Sequence, residues 1–101
     1  MHLHNVFFTL NDSSGEMVKT LVDDCYTYLK PQDGIVQFFA GAREEGCSRE
    51  VNDLEFHVAL TVVFTDKAAH DAYQDADIHN VFVDRNKDNW AGARVFDSNI
   101  S

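Results

Sequence analysis

From Leu3 to Leu10 the chain alternates in a two-residue rhythm. His4, Val6, Phe8 and Leu10 share one face of a strand; Leu3, Asn5, Phe7 and Thr9 share the other. Asn11 to Gly15 reads as a turn. Ser13 followed by Glu16 fits a capping box, which starts a helix. Met17, Val18, Leu21, Val22, Cys25, Tyr28 and Leu29 then recur at helical spacing until Pro31 ends it. After the turn signal QDG, Ile35 to Arg43 forms a second strand, and the polar stretch Glu44 to Asp53 is an exposed loop. Glu55 to Phe64 is the strongest strand. Phe56, Val58, Leu60, Val62 and Phe64 line one face, with His57, Ala59, Thr61 and Val63 on the other. Thr65 or Asp66 caps a short helix through Tyr73, and the chain breaks at Asp75–Asp77. Asp77 then caps a second helical piece carrying Ile78, Val81, Phe82 and Arg85. Trp90 to Asp97 is the last strand.

The order β-α-β-β-α-β is a split βαβ pattern, an α+β arrangement within one unit spanning residues 1–101. Two helical segments cover only one face of a four-stranded sheet. The other face carries Leu3, Phe7, Ala59 and Val63. An open apolar face of this kind predicts an interaction surface, here a homodimer in which two sheets pack together.

Composition narrows the classes. Apolar residues make up 45%, so the chain is not of disordered type. Its longest apolar run, Val58 to Phe64 broken by Thr61, is too short to span a bilayer. The start MHLHNVFFTL lacks the basic region and cleavage site of a signal peptide. Cys25 and Cys47 form no CxxC pair, and two cysteines are few for a small secreted domain. A reduced cytoplasmic setting is expected. A net charge of −9 argues against nucleic acid and anionic membrane as partners.

Two stretches carry a family resemblance. "HNVFFTL" resembles the first strand of the stress-responsive α/β-barrel (Dabb) domains. "HVALTVVFTDKAAHDAYQDADIHNVFVD" resembles their central stretch: a strand, a short helix, a tyrosine, a histidine six residues on, then an aromatic. The resemblance implies a ferredoxin-like subunit and a dimer whose two sheets form a barrel. The family includes stress-linked plant proteins, bacterial proteins of unassigned activity, and plant polyketide cyclases that perform an intramolecular aldol condensation. In those cyclases the tyrosine and histidine of the central motif are acid–base groups. By motif these are Tyr73 and His79 here, with His4, Tyr26 and Trp90 at pocket positions. Two departures stand out. Ala76 and Asp77 replace a frequent His-Pro pair, and Val58 occupies the place of a cyclase histidine, with His57 one residue off and on the opposite face.

The candidate chemistry follows. His79 falls in the first turn of a helix, whose positive end disfavours imidazolium, so a neutral imidazole there suits a general base. Tyr73 is a hydrogen-bond donor for a carbonyl or enolate oxygen. His4 faces the helices and joins His79 across a pocket walled by Phe8, Tyr26 and Trp90, with Val58 also counted among its lining residues. His2 and His4 share a strand face and offer two legs of a metal site. No carboxylate or cysteine obviously converges on them, so neither metal nor cofactor is expected. His2 is expected to be frayed and exposed, His70 exposed on its short helix, and His57 on the dimer face. Cys25 is expected to be buried and inert, and Cys47 exposed. The reading that results is a stress-responsive dimeric barrel protein binding a small apolar or aromatic ligand between sheet and helices. The rival is an acid–base enzyme of cyclase or isomerase type using Tyr73 and His79.

Overall fold

In the computed structural model, which describes residues 1–101, the alternation of the first strand, β1 (His2–Leu10), persists along its whole length. His2, His4, Val6, Phe8 and Leu10 are buried and the residues between them half-buried. After it come α1 (Gly15–Asp24), extended by a π-helical turn over Cys25–Leu29, and β2 (Ile35–Ala42). Then follow β3 (Val58–Phe64), α2 (Lys67–Asp75), α3 (Asp77–Asn86), a 3-10 turn over Lys87–Asn89, and β4 (Trp90–Asn99). The strands form one antiparallel sheet in the order β2-β3-β1-β4, the ferredoxin-like α+β arrangement.

The core lies between one sheet face and the helices. Val6, Phe8, Leu60, Val62 and Phe64 pack against Leu21, Cys25, Leu29, Tyr73 and Phe82. The molecule measures 34 × 31 × 17 Å, thin enough for one sheet and one helical layer only. The other sheet face is therefore bare. Phe7 meets Phe56 and Phe96 there at ring distances of 5.1 and 5.9 Å, and Phe39 and Phe96 are 59% and 50% exposed. No helix is long and apolar enough to cross a membrane.

Several local expectations are corrected. Ser14, not Ser13, caps α1, accepting a hydrogen bond from the Met17 N–H. Asp66 caps α2 by accepting from the Ala69 N–H at 2.8 Å. Asp77 does not cap α3: the cap position is the extended Ala76, which has no side-chain acceptor, and Asp77 begins the helix itself. Phe56 precedes β3 and turns to the bare face instead of continuing the buried row. Gly34 has φ 84°, and a Cβ there would lie 2.5 Å from the Ala69 Cβ, so the turn into β2 admits no side chain.

Candidate active site

The helices leave β4 largely uncovered, and a cleft of about 160 Å³ opens between α3 and the β1–β4 edge. β1 contributes His4, Val6 and Phe8, because every second residue of the strand faces the helices. Tyr73 enters from the last turn of α2. His79 and Phe82, three apart, enter from one side of α3. Trp90 and Val95 on β4 complete the wall. Phe8 lies 5.0 Å from the Trp90 ring and 6.4 Å from Phe82, so the floor is aromatic. The space is small, but an apolar cavity of about 150 Å³ is enough for a single benzene-sized ring.

Two polar atoms in this wall have no partner. The Tyr73 hydroxyl and the Trp90 Nε1–H are buried without a hydrogen bond. Buried polar groups are nearly always paired, so these two donors stand out in an otherwise apolar wall. Burial, with a smaller push from Cys25, raises the Tyr73 pKa well above the ordinary phenol value, so the hydroxyl keeps its proton and can donate it. The His79 ring meets Tyr73 edge-on at 5.0 Å. Burial, and then the nearby His4, lower the His79 pKa from its ordinary value. A neutral imidazole and a protonated phenol thus stand side by side.

His4 is oriented from behind. Its Nδ1 lies 2.7 Å from Asp97 Oδ1 on β4, the residue paired with it in the strand register. Burial raises the Asp97 pKa, but hydrogen bonds from His4 and His2 outweigh it and hold the carboxyl below its usual range. An ionised carboxylate only accepts, so His4 donates to it through Nδ1–H, which fixes the orientation of the ring.

The structure brings His4, Phe8, Tyr73, His79 and Trp90 to one cleft and leaves out two expected residues. Tyr26 stands over β2, at the opposite edge of the sheet from β4. It is 39% exposed there, and its hydroxyl accepts a hydrogen bond from the Ala40 N–H at 3.1 Å. Val58 is fully buried on β3, and its β1 partner Phe8 stands between it and β4. His57 lies at the end of the bare face, where Nδ1 accepts from the Leu10 N–H at 2.9 Å.

The larger corrections concern His2, His70 and Asp97. His2 is buried, not frayed, with Nε2 2.8 Å from the same Asp97 oxygen that His4 uses. His70 is 6% exposed, and its ring stacks on His2 at 4.3 Å and packs against His4 at 4.6 Å. A carboxylate does converge on the histidines of β1, contrary to expectation. The signal for His70 lay in its place three residues before Tyr73 on the same helix face. The signal for Asp97 lay in strand register, which only the pairing of β1 with β4 reveals.

Comparison by sequence with curated proteins finds no match. Solved structures share the fold. A Dabb family protein with a ferredoxin-like fold from Mesorhizobium loti is 25% identical. That alignment covers 99% of this chain and 96% of that one, with a TM-score of 0.81. A dimeric ferredoxin-like protein of unknown function from Thermobifida fusca is 14% identical, with coverages of 98% and 90% and a TM-score of 0.81. A hydroxynitrile lyase from Passiflora edulis is 14% identical, with coverages of 99% and 93% and a TM-score of 0.79. The family model of the stress responsive A/B barrel domain (Dabb) matches residues 3–100, and the chain belongs to that family.

Proposed function

We propose that this Dabb-family chain is one soluble cytoplasmic domain, active as a homodimer, which binds a small aromatic or apolar molecule bearing an oxygen acceptor. The observation that carries the reading is the pair of unpartnered donors, Tyr73 hydroxyl and Trp90 Nε1–H, in an otherwise apolar cleft. The ring of the ligand lies on Phe8 and Phe82, and its oxygen accepts from Tyr73. The two free cysteines suit the cytoplasmic setting. The dimer is supported by the exposed aromatic face and by the likeness to the dimeric Thermobifida fusca protein.

Trp90 is the single tryptophan, so its fluorescence reports on the cleft directly. Titration with a panel of phenols and aryl ketones is expected to give a saturable change. Tyr73→Phe is expected to weaken binding by about tenfold, one hydrogen bond's worth. No saturable response up to millimolar concentration across the panel rules the reading out.

A second reading is favoured by the neutral His79 beside protonated Tyr73 and by the oriented His4. In it the cleft is catalytic: Tyr73 donates to a carbonyl oxygen while His79 removes a proton from the adjacent carbon. The hydroxynitrile lyase shares the fold, but a fold alone transfers no substrate. In deuterated water the protein would speed exchange of the α-hydrogens of an aryl ketone. Exchange no faster than buffer, or unaffected by His79→Gln and Tyr73→Phe, excludes catalysis of this kind.

A further inference from the structure

Behind His4, on the side away from the cleft, four donor atoms cluster. They are His2 Nε2 and His4 Nδ1 on β1, a His70 ring nitrogen on α2, and Asp97 Oδ1 on β4, all within 4.8 Å of one another. We propose that this cluster is a binding site for a divalent transition-metal ion of the zinc class, with three imidazoles and one carboxylate as ligands.

The ligand set is the one such ions take: imidazole nitrogens with a carboxylate oxygen, four in number. In a tetrahedral site with bonds of about 2.0–2.1 Å, ligand atoms lie about 3.3 Å apart. Asp97 Oδ1 is 2.8 Å from His2 Nε2, 2.7 Å from His4 Nδ1 and 3.6 Å from His70 Nε2. Those three separations bracket the required value, so the carboxylate and the β1 histidines need move apart by only a fraction of an ångström.

His70 supplies the independent evidence. It is buried against the other three residues, and neither ring nitrogen has a hydrogen-bond partner. A residue kept only for packing would leave this position to phenylalanine and avoid burying two unmet nitrogens. His70 is stacked on His2 with the rings 18° from parallel, and a ring face does not coordinate. Loading therefore turns His70 about its side-chain torsions until Nε2 points at the ion. Asp71 Oδ1, now 3.8 Å from His70 Nδ1, is placed to hold the turned ring by its other nitrogen, as carboxylates commonly do for metal-bound histidines.

Because His4 faces both ways, the ion would replace the Nδ1 proton and orient the ring that reaches the cleft. The site does not depend on a ligand in the cleft, so either can fail without the other.

The test uses untagged protein stripped with EDTA and titrated with Zn²⁺ alone by calorimetry, with metal content measured after desalting. One ion per chain is expected. His70→Phe, which keeps the stacked ring but removes its donors, and Asp97→Asn are each expected to weaken Zn²⁺ by more than about tenfold. That is the least that disturbing even an outer partner of a metal ligand does. His57→Ala, outside the cluster, should leave uptake unchanged. Co²⁺ provides a check on the unmutated protein, since a tetrahedral site gives intense visible absorption. A weak octahedral spectrum, no stoichiometric uptake, or uptake equal in His70→Phe and Asp97→Asn overturns the proposal.

Discussion

The Tyr73 hydroxyl is buried without a partner, which gives its removal two opposite effects. Tyr73→Phe should weaken ligand binding yet raise stability by about 1 kcal/mol, since an unmet buried polar group is removed. Urea unfolding without ligand checks the second effect. His79 sets a pH dependence. Its pKa is lowered by burial and by His4, the titratable groups facing it being His4 from β1 and Tyr73 from α2. A lowered imidazole pKa means that the unfolded chain binds more protons below the ordinary value of about 6.5. The contribution of His79 is thus present above that pH and lost as pH falls through it. The urea midpoint of the unmodified chain should drop between about pH 7.5 and 5.5 by more than that of His79→Phe. Cys25 is pushed up to about 12 by burial and then by Asp24, whereas Cys47 is exposed. Ellman's reagent should find one reactive thiol in the folded chain and two after denaturation. The burial of Cys25 was legible from helical spacing. That of His70 could have been read the same way, from its place three residues before Tyr73, but that of His2 could not, because its partner Asp97 lies on a strand whose register no local pattern encodes.

At the scale of elements, the helix starts differ in strength. Asp66 bonds the Ala69 N–H at 2.8 Å, while Ser14 reaches the Met17 N–H only at 3.4 Å and Ala76 offers α3 its backbone carbonyl but no side-chain cap. Asp66→Ala should destabilise by about 1 kcal/mol, and Ala76→Ser should stabilise by a similar amount. Thermal melts of both variants check the signs. The break before α3 was readable in the sequence. Its cap was misplaced because Asp77 lies one residue inside the helix, where its charge still suits the positive end. The crossover helices are also tied by a contact no motif announced. Arg85 Nε on α3 donates to the Asp24 carboxylate at 3.0 Å, and the guanidinium lies over Tyr28 at 5.0 Å. The Tyr26 expectation failed at this scale too. The resemblance placed Tyr26 at the pocket, but its side chain turns from the helix toward β2, and Leu29, three residues on, is the residue of that turn that lines the cleft.

For the whole molecule, the order of elements and the two-sided character of the sheet were plain in the alternation of β1 and β3. The thinness of the subunit and the aromatic residues on its bare face are the physical grounds for the proposed dimer. Phe39→Asp combined with Phe96→Asp should convert a dimer to monomer in native mass spectrometry at micromolar concentration, with the far-ultraviolet dichroism unchanged. A monomer in the unmodified protein removes the dimer from the proposed function.

The central strand β1 has neighbours drawn from far along the chain: β3 on one side and β4 on the other. His2 and Asp97 are 95 positions apart, and Met1 accepts from the Ile100 N–H at 2.9 Å. The first strand made is therefore the last to be completed. During synthesis β1 waits with both edges open until β3 and then β4 emerge, and the loop joining β1 to β4 is nearly the length of the chain. Folding governed by such distant pairings is slow for a protein of this size. It also leaves a hydrophobic strand unprotected on the ribosome, where a chaperone or a second nascent copy has the longest time to find it.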